Sequence, residues 1–255
     1  MSPVFDSRQF AEDTAQLAPQ HGWRTHALNA VDGFPRPWFH LPAAEAQPLR
    51  LYISAGIHGD EPASSYAARE LLRHTDQFVG IEVFLFPLLN PAGMARGSRE
   101  NAHDIDLNRD YLNPVSAEVS GHLAVLRELP PCHAYLHLHE DWEAQGAYLY
   151  ALRRDDIPNA TDTLLAAMAE HLPIEQATLI DDFEAEGGVI ARPYPLPPRD
   201  DWPEPYYFED QHGAYHGYTL ETPSSLELPQ RIAAHLSAAH ALANFLREHR
   251  AVFLR

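Results

Sequence analysis

With 255 residues and 45% apolar content, the chain is long enough for one large α/β domain with a sizeable core, spanning 1–255. A formal charge of −18 disfavours nucleic acid and anionic membranes as partners, and no run of about 18 apolar residues offers a membrane span. The acidic start, MSPVFDSRQFAEDTAQL, lacks an apolar signal core, so a cytoplasmic protein is expected, and Cys132, the one cysteine, excludes an intrachain disulfide.

The first predicted element is an amphipathic helix over 5–20, with Phe5, Phe10 and Leu17 as its apolar residues and Pro19 and Gly22 ending it. Residues 23–41 read as strands and turns around the cluster DGFPRP. LRLYISAG, 49–56, is a short buried strand, and IEVFLFPLLNP, 81–91, is a second. Between them EPASSYAARELLRH, 61–74, repeats Ala63, Tyr66, Ala67, Leu71 and Leu72 at helical spacing. A strand, a helix and a strand of these lengths suggest a right-handed βαβ unit and a parallel or mixed sheet.

SAEVSGHLAVLREL, 116–129, reads as a helix with Ser116 as its N-cap and Glu118 in the first turn. CHAYLHLHED, 132–141, is a third strand, and QGAYLYAL, 145–152, another. DTLLAAMAEHL, 162–172, is a helix, and GYTLETP, 217–223, the final strand. The closing helix lies within 225–249 and starts near Pro229. Residues 181–216 differ: six prolines fall between Pro193 and Pro205, among Trp202, Tyr206 and Tyr207. A loop of that length is functional or disordered, and its aromatic content argues for function. It reads as a substrate-facing lid.

Four polar clusters fall at or after the ends of apolar strands: His58–Glu61, RENAHDIDLNRD at 99–110, HLHED at 137–141, and Glu221 in TLETP. The carboxyl ends of strands form the ligand crevice of an open α/β sheet. A lone HxxE is more often a polar turn than a metal site. The full set is more specific, because catalytic zinc takes nitrogen and oxygen ligands and keeps one position open. His58 and Glu61 can bind one ion from a strand-to-helix turn, and His139 can add a third ligand from a neighbouring strand. Glu221 is then free to act as general base.

In order, GIHGDE, NP, DLNR, LH and LET resemble the metallocarboxypeptidase family of carboxypeptidase A, over about residues 50–245. That superfamily includes murein tripeptide amidases and the succinylglutamate desuccinylase and aspartoacylase branch. The resemblance implies a three-layer α/β/α fold with a mixed, mostly eight-stranded sheet. It also implies zinc on His58, Glu61 and His139, and Asp106 orienting His58. By the same resemblance, Asn108 and Arg109 take the substrate carboxylate, Arg99 polarises the scissile carbonyl, and Glu221 is the base and acid. Arg96, three residues before Arg99, competes with it for that role.

Two departures stand out. The family's DLH is here HLH, with His137 in place of Asp. His137, Glu140 and Asp141, with Asp60, His103 and Asp104, offer donors for a second metal beside the first. The substrate-capping tyrosine has no evident equivalent, and Tyr194, Tyr206, Tyr207 and Tyr215 are the candidates. The expected activity is hydrolysis of an amide next to a free carboxylate, by a carboxypeptidase of short peptides. An N-acyl-amino-acid deacylase is the alternative, and a non-catalytic binding module is a third.

Overall fold

The computed structural model describes residues 5–153, 158–192, 195–212 and 216–254. Its helices are α1 (Ser7–Leu17), α2 (Pro62–Leu71), α3 (Pro91–Arg96), α4 (Ala117–Leu126), α5 (Thr161–Ala169), α6 (Glu204–His212), α7 (Leu228–Glu248) and α8 (Arg250–Phe253). Its strands are β1 (Arg24–Ala27), β2 (Pro37–Leu41), β3 (Leu49–Ala55), β4 (Ile81–Phe86), β5 (Ala134–Asp141) and β6 (Tyr148–Arg153). They continue with β7 (Leu179–Ile180), β8 (Phe183–Glu184), β9 (Val189–Arg192) and β10 (His216–Pro223).

Eight strands form one mixed sheet in the order β1-β2-β4-β3-β5-β10-β6-β9, as the motif resemblance implied. The four central strands, β4, β3, β5 and β10, run parallel to their neighbours within that group. Their carboxyl ends therefore open on one edge of the sheet. Parallel strands need both faces covered, which is why these segments read as near-continuous apolar runs. Alternation divides them between two cores. Leu51, Ile53, Leu136 and Leu138 pack with Ala67, Leu71, Ala238 and Leu242 of α2 and α7. Tyr52 and Tyr135 pack on the other face with Leu123 of α4 and Tyr207 and Phe208 of α6.

Segment 181–216 departs from the expected loop. β9 adds a parallel edge strand beside β6, and α6 buries Tyr206, Tyr207 and Phe208. The prolines 195–203 are confined to the connection between these elements. Tyr194 and Tyr215, two of the capping candidates, lie outside the described residues. The strand expected over 81–91 ends at Phe86, and α3 follows from Pro91. α3 is a single short helix whose N-cap, Asn90, accepts a 2.9 Å hydrogen bond from Gly93 N. None of the described helices is long and apolar enough to cross a membrane.

Candidate metal centre and active-site cleft

β3 ends at Ala55, and the turn GIHGDE delivers the chain to α2. Glu61 is the N-cap of that helix and Pro62 its first residue, a position where the missing N–H costs nothing. The turn therefore places His58 and Glu61 at a fixed spacing. Parallel pairing of β5 with β3 brings His139 to the same edge. His58, Glu61 and His139 each offer a ligand atom, all within 4.8 Å of one another. All three side chains are buried. Glu61 Oε1 lies 2.6 Å from His58 Nδ1, and Glu61 Oε2 lies 2.9 Å from His139 Nδ1. Despite that distance, Glu61 Oε2 has no hydrogen bond of acceptable geometry.

The charges are tuned by one another. Burial depresses the His58 imidazolium, yet Glu61 and Asp106 outweigh it and raise its pKa to about 9. Burial pushes Glu61 up, but the two imidazoles hold it well below the usual carboxylate range. His139 is lowered by burial in spite of Glu61. Two imidazoles and a carboxylate with an orphaned buried oxygen suit divalent transition metals, zinc among them, by donor type.

DLNR forms one turn of 3-10 helix, Leu107–Arg109, capped by Asp106 through a 2.9 Å bond from Asn108 N. Asp106 Oδ1 also lies 3.3 Å from His58 Nε2. Its Oδ2 accepts from Arg99 Nε at 3.0 Å. Burial raises Asp106, but His58, Arg99 and Arg109 hold it well below its ordinary value. Asp106 thus connects His58 to Arg99, whose Nη1 lies 3.3 Å from His58 Nδ1. Arg96 sits in the last turn of α3, before the left-handed Gly97, and donates to Asn101 O. It does not line the cleft, so the geometry favours Arg99.

The loops are knitted through the NP motif. Asn90 N donates to Gly56 O at 2.7 Å, and Asn90 Nδ2 to Arg99 O at 3.2 Å. Gly59 lies directly on Gly93: a Cβ at Gly59 would fall 2.0 Å from the Gly93 carbonyl carbon. A Cβ at Gly93 would fall 2.4 Å from Asn90 Nδ2. Only glycine permits this approach of two backbones.

The cleft above these residues has a volume of roughly 600 Å³, within the size of small-ligand pockets, about 300–1,000 Å³. Glu221 faces it from β10, aligned with His139 on β5. Burial, then Glu61, Asp141 and Asp181, push the Glu221 carboxyl well above its usual range, and Arg99 only partly offsets them. Asn108, Arg109, Arg199 and Tyr206 also line the cleft, and Trp142, 76% exposed, stands among the lining residues. Of the four tyrosines weighed as caps, Tyr206 lines the cleft, and Tyr207 packs in the core behind it.

The second metal site is not assembled. Strand alternation sends Glu140 to the face opposite His139, where it accepts a 2.5 Å bond from Ala63 N and pairs with Arg231. His137 Nδ1 lies 3.1 Å from Glu204 Oε2 in the interior. Asp141 accepts from Tyr148 Oη at 3.0 Å. Asp104 is exposed in a turn with φ of 56°, and His103 lies 3.4 Å from Asp32. Asp60 lines the cleft without two further donors. Among the described residues, His58, Glu61 and His139 make the single three-donor group.

Sequence reasoning missed Glu204. This fully buried carboxylate accepts from Tyr52 Oη at 2.5 Å and Ser54 Oγ at 2.8 Å, and faces His137. Burial raises Glu204, but His137 leads the groups that bring it down to about 2. No local signal marks it, because its partners lie on β3 and β5.

Residues 47–178, just over half of the chain, match the succinylglutamate desuccinylase/aspartoacylase catalytic domain. Carboxypeptidase SOL1 of Arabidopsis thaliana is 31% identical over 101 residues, covering 32% of this chain and 20% of SOL1. The chain therefore matches only a fifth of that relative's length. A Shewanella amazonensis SB2B protein described as a "putative metallopeptidase" superposes with a TM-score of 0.83 at 25% identity, over 94% of this chain and 93% of that one. A metallo-carboxypeptidase from Burkholderia cenocepacia shares the fold, with a TM-score of 0.69 at 17% identity over 94% of this chain and 68% of that one. The family match covers GIHGDE, DLNR and LH, the fold match extends over 94% of the chain, and the chain belongs to the succinylglutamate desuccinylase/aspartoacylase catalytic-domain family, on a carboxypeptidase-like fold.

Proposed function

We propose that the protein is a metal-dependent hydrolase of an amide bond next to a free carboxylate, removing the C-terminal residue of a short peptide. The observation that carries this reading is the buried His58–Glu61–His139 group with Glu221 in register beside it, facing a cleft that also holds Arg99 and Arg109. His58, Glu61 and His139 hold the ion, and zinc bound there supplies Lewis acidity and a water of lowered pKa.

The chain's own residues do the rest. Glu221 takes a proton from the attacking water and returns it to the leaving amine. Burial and the neighbouring carboxylates raise that carboxyl above its usual range, which favours the form that holds a proton for the amine. Arg99, held by Asp106, donates to the carbonyl oxygen as negative charge develops. Arg109 and the Asn108 amide receive the substrate carboxylate, which sets the register of the scissile bond.

The family match over 47–178 favours a second reading, an N-acyl-amino-acid deacylase using the same groups. A panel separates them: peptides with free C-termini, the same peptides amidated, and N-acyl amino acids, followed by mass spectrometry with Glu221→Gln as control. Release of one residue from free-acid peptides only supports the carboxypeptidase. Cleavage confined to N-acyl amino acids supports the deacylase. Equal inertness of wild type and variant across the panel removes both.

A further inference from the structure

Glu204 contributes to two kinds of contact. Its carboxylate is buried and bonded to Tyr52 Oη, Ser54 Oγ and His137 Nδ1, on two adjacent strands. Its backbone N–H, at the start of α6, donates to Asn108 Oδ1 at 2.9 Å. The first N–H groups of a helix have no partner within it, so a side-chain acceptor here is well used. An N–H can only donate. The Asn108 amide oxygen must therefore face α6, which leaves its Nδ2 donors for the cleft that Asn108 lines.

The same segment holds the neighbouring guanidinium. Asp201 accepts two 2.8 Å bonds from Arg199, and its Oδ2 lies 3.4 Å from Arg109 Nε. Arg109 Nη1 is tied to its neighbour's carbonyl, Asn108 O, at 2.7 Å. Both groups that face a substrate carboxylate are thus oriented from residues 201–204.

A buried ion pair is weak evidence of stabilisation, because desolvation opposes the Coulombic gain. Tyr207 and Phe208 already seat α6 on the sheet by apolar contact. What they do not do is fix the first turn of the helix to one position. We propose that Glu204 is a positioning residue for substrate recognition: its three-point attachment to β3 and β5 fixes the start of α6, and the Glu204 N–H holds Asn108 with its donors toward the substrate carboxylate. This rests on the reading of Asn108 and Arg109 as the carboxylate anchor.

The test compares an N-acetyl dipeptide and an N-acetyl amino acid, each as free acid and as carboxamide, on metal-loaded protein. Glu204→Gln keeps the side chain's shape but opposes Ser54 and His137 with an amide. It is expected to lower the acid-to-amide ratio of kcat/KM by tenfold or more, mainly through KM, with metal content unchanged. Ser54→Ala shifts the ratio the same way by less. Tyr207→Leu, whose ring packs on Tyr111 and Phe208 rather than on the partners of Glu204, lowers Tm and leaves the ratio alone. A ratio within twofold of wild type in Glu204→Gln, or acid and amide rates falling together, overturns the proposal. A second readout does not depend on turnover: the side-chain amide 15N resonances of Asn108, assigned by their loss in Asn108→Asp, shift in Glu204→Gln. If wild type shows no preference for the acid, the anchor reading fails. The resonances then still decide whether Glu204 orients Asn108, and unmoved resonances overturn it.

Discussion

Glu221 and His139 are register partners on the parallel strands β10 and β5, so a carboxylate and an imidazole leave adjacent strands at the same level. Neither position depends on a loop. The proposed base therefore inherits its distance from the proposed metal ligand from the hydrogen-bond ladder itself. Glu221→Gln keeps the shape and removes the base. Turnover is expected to fall by about 10²–10⁴-fold, with metal content and substrate affinity little changed. Rapid kinetics with equilibrium binding on the variant checks this, and a KM effect without a kcat effect contradicts it.

Removal of the ion is expected to abolish activity without unfolding the chain. In its absence His58 and Glu61 compensate each other at 2.6 Å, so no naked buried charge remains. A tightly bound ion at about 1,000 times its Kd adds about 4 kcal/mol. Chelation should therefore lower Tm by several degrees, and zinc should restore both Tm and turnover. Glu61→Ala should abolish the zinc-dependent part of that shift. Persistence of the full shift in this variant places the ion elsewhere.

The two cleft arginines should separate kinetically. Loss of Arg99 removes a donor to developing charge, which typically costs about 10²–10³ in kcat. Loss of Arg109 removes charge-assisted bonds to the substrate carboxylate, about 1.5–3 kcal/mol, and should appear chiefly as a higher KM. Arg109→Ala should leave amidated peptides unaffected. The comparison of free-acid and amidated substrates across both variants decides it.

Stability should fall on mild acidification for a reason unrelated to the carboxylates. Burial pushes His122 from 6.5 to about 3. Tyr52 Oη donates to Glu204, so His122 Nε2 must donate to Tyr52, and Nδ1 accepts from Tyr111 Oη at 2.8 Å. The folded state therefore holds a neutral ring. Between about pH 6.5 and 3 the unfolded chain binds the extra proton, so stability decreases as pH falls through that window. The slope is about 1.4 kcal/mol per pH unit for each such histidine. His122→Gln preserves a donor and an acceptor. Denaturant melts between pH 7 and 5 should show a shallower slope in that variant, and an unchanged slope assigns the effect to other groups, such as His235, also lowered to about 3.

The sheet was legible because buried parallel strands announce themselves: LRLYISAG, CHAYLHLHED and GYTLETP are apolar runs that turn polar at one end. The three donors were legible because imidazole and carboxylate at those ends have few other uses. Strand parity turns Glu140 away from His139, whereas His137 and Asp141 share the face of His139 and are engaged by Glu204 and Tyr148. The choice between Arg96 and Arg99 depended on a helix end at Gly97 that propensity alone does not mark. The helix α6 was hidden by the prolines around it, and Glu204 by sequence separation, its partners lying 67 and 150 residues away.

The contact between Gly59 and Gly93 makes two positions without side chains the gauge of the whole centre. The turn bearing His58 and Glu61 rests on α3 at backbone thickness, and Asn90, the cap of α3, also holds the carbonyl of Arg99. A single methyl at Gly59 would push the turn bearing His58 and Glu61 off α3, and one at Gly93 would meet Asn90 and the Glu100 carbonyl, beside Arg99. The wall to which β9 and α6 contribute meets the cleft through side chains such as Arg192 and Tyr206, which lie outside that backbone contact. Variation among relatives should accordingly be uneven: drift in the wall can change what is bound one residue at a time, whereas the floor can change only if both loops change together.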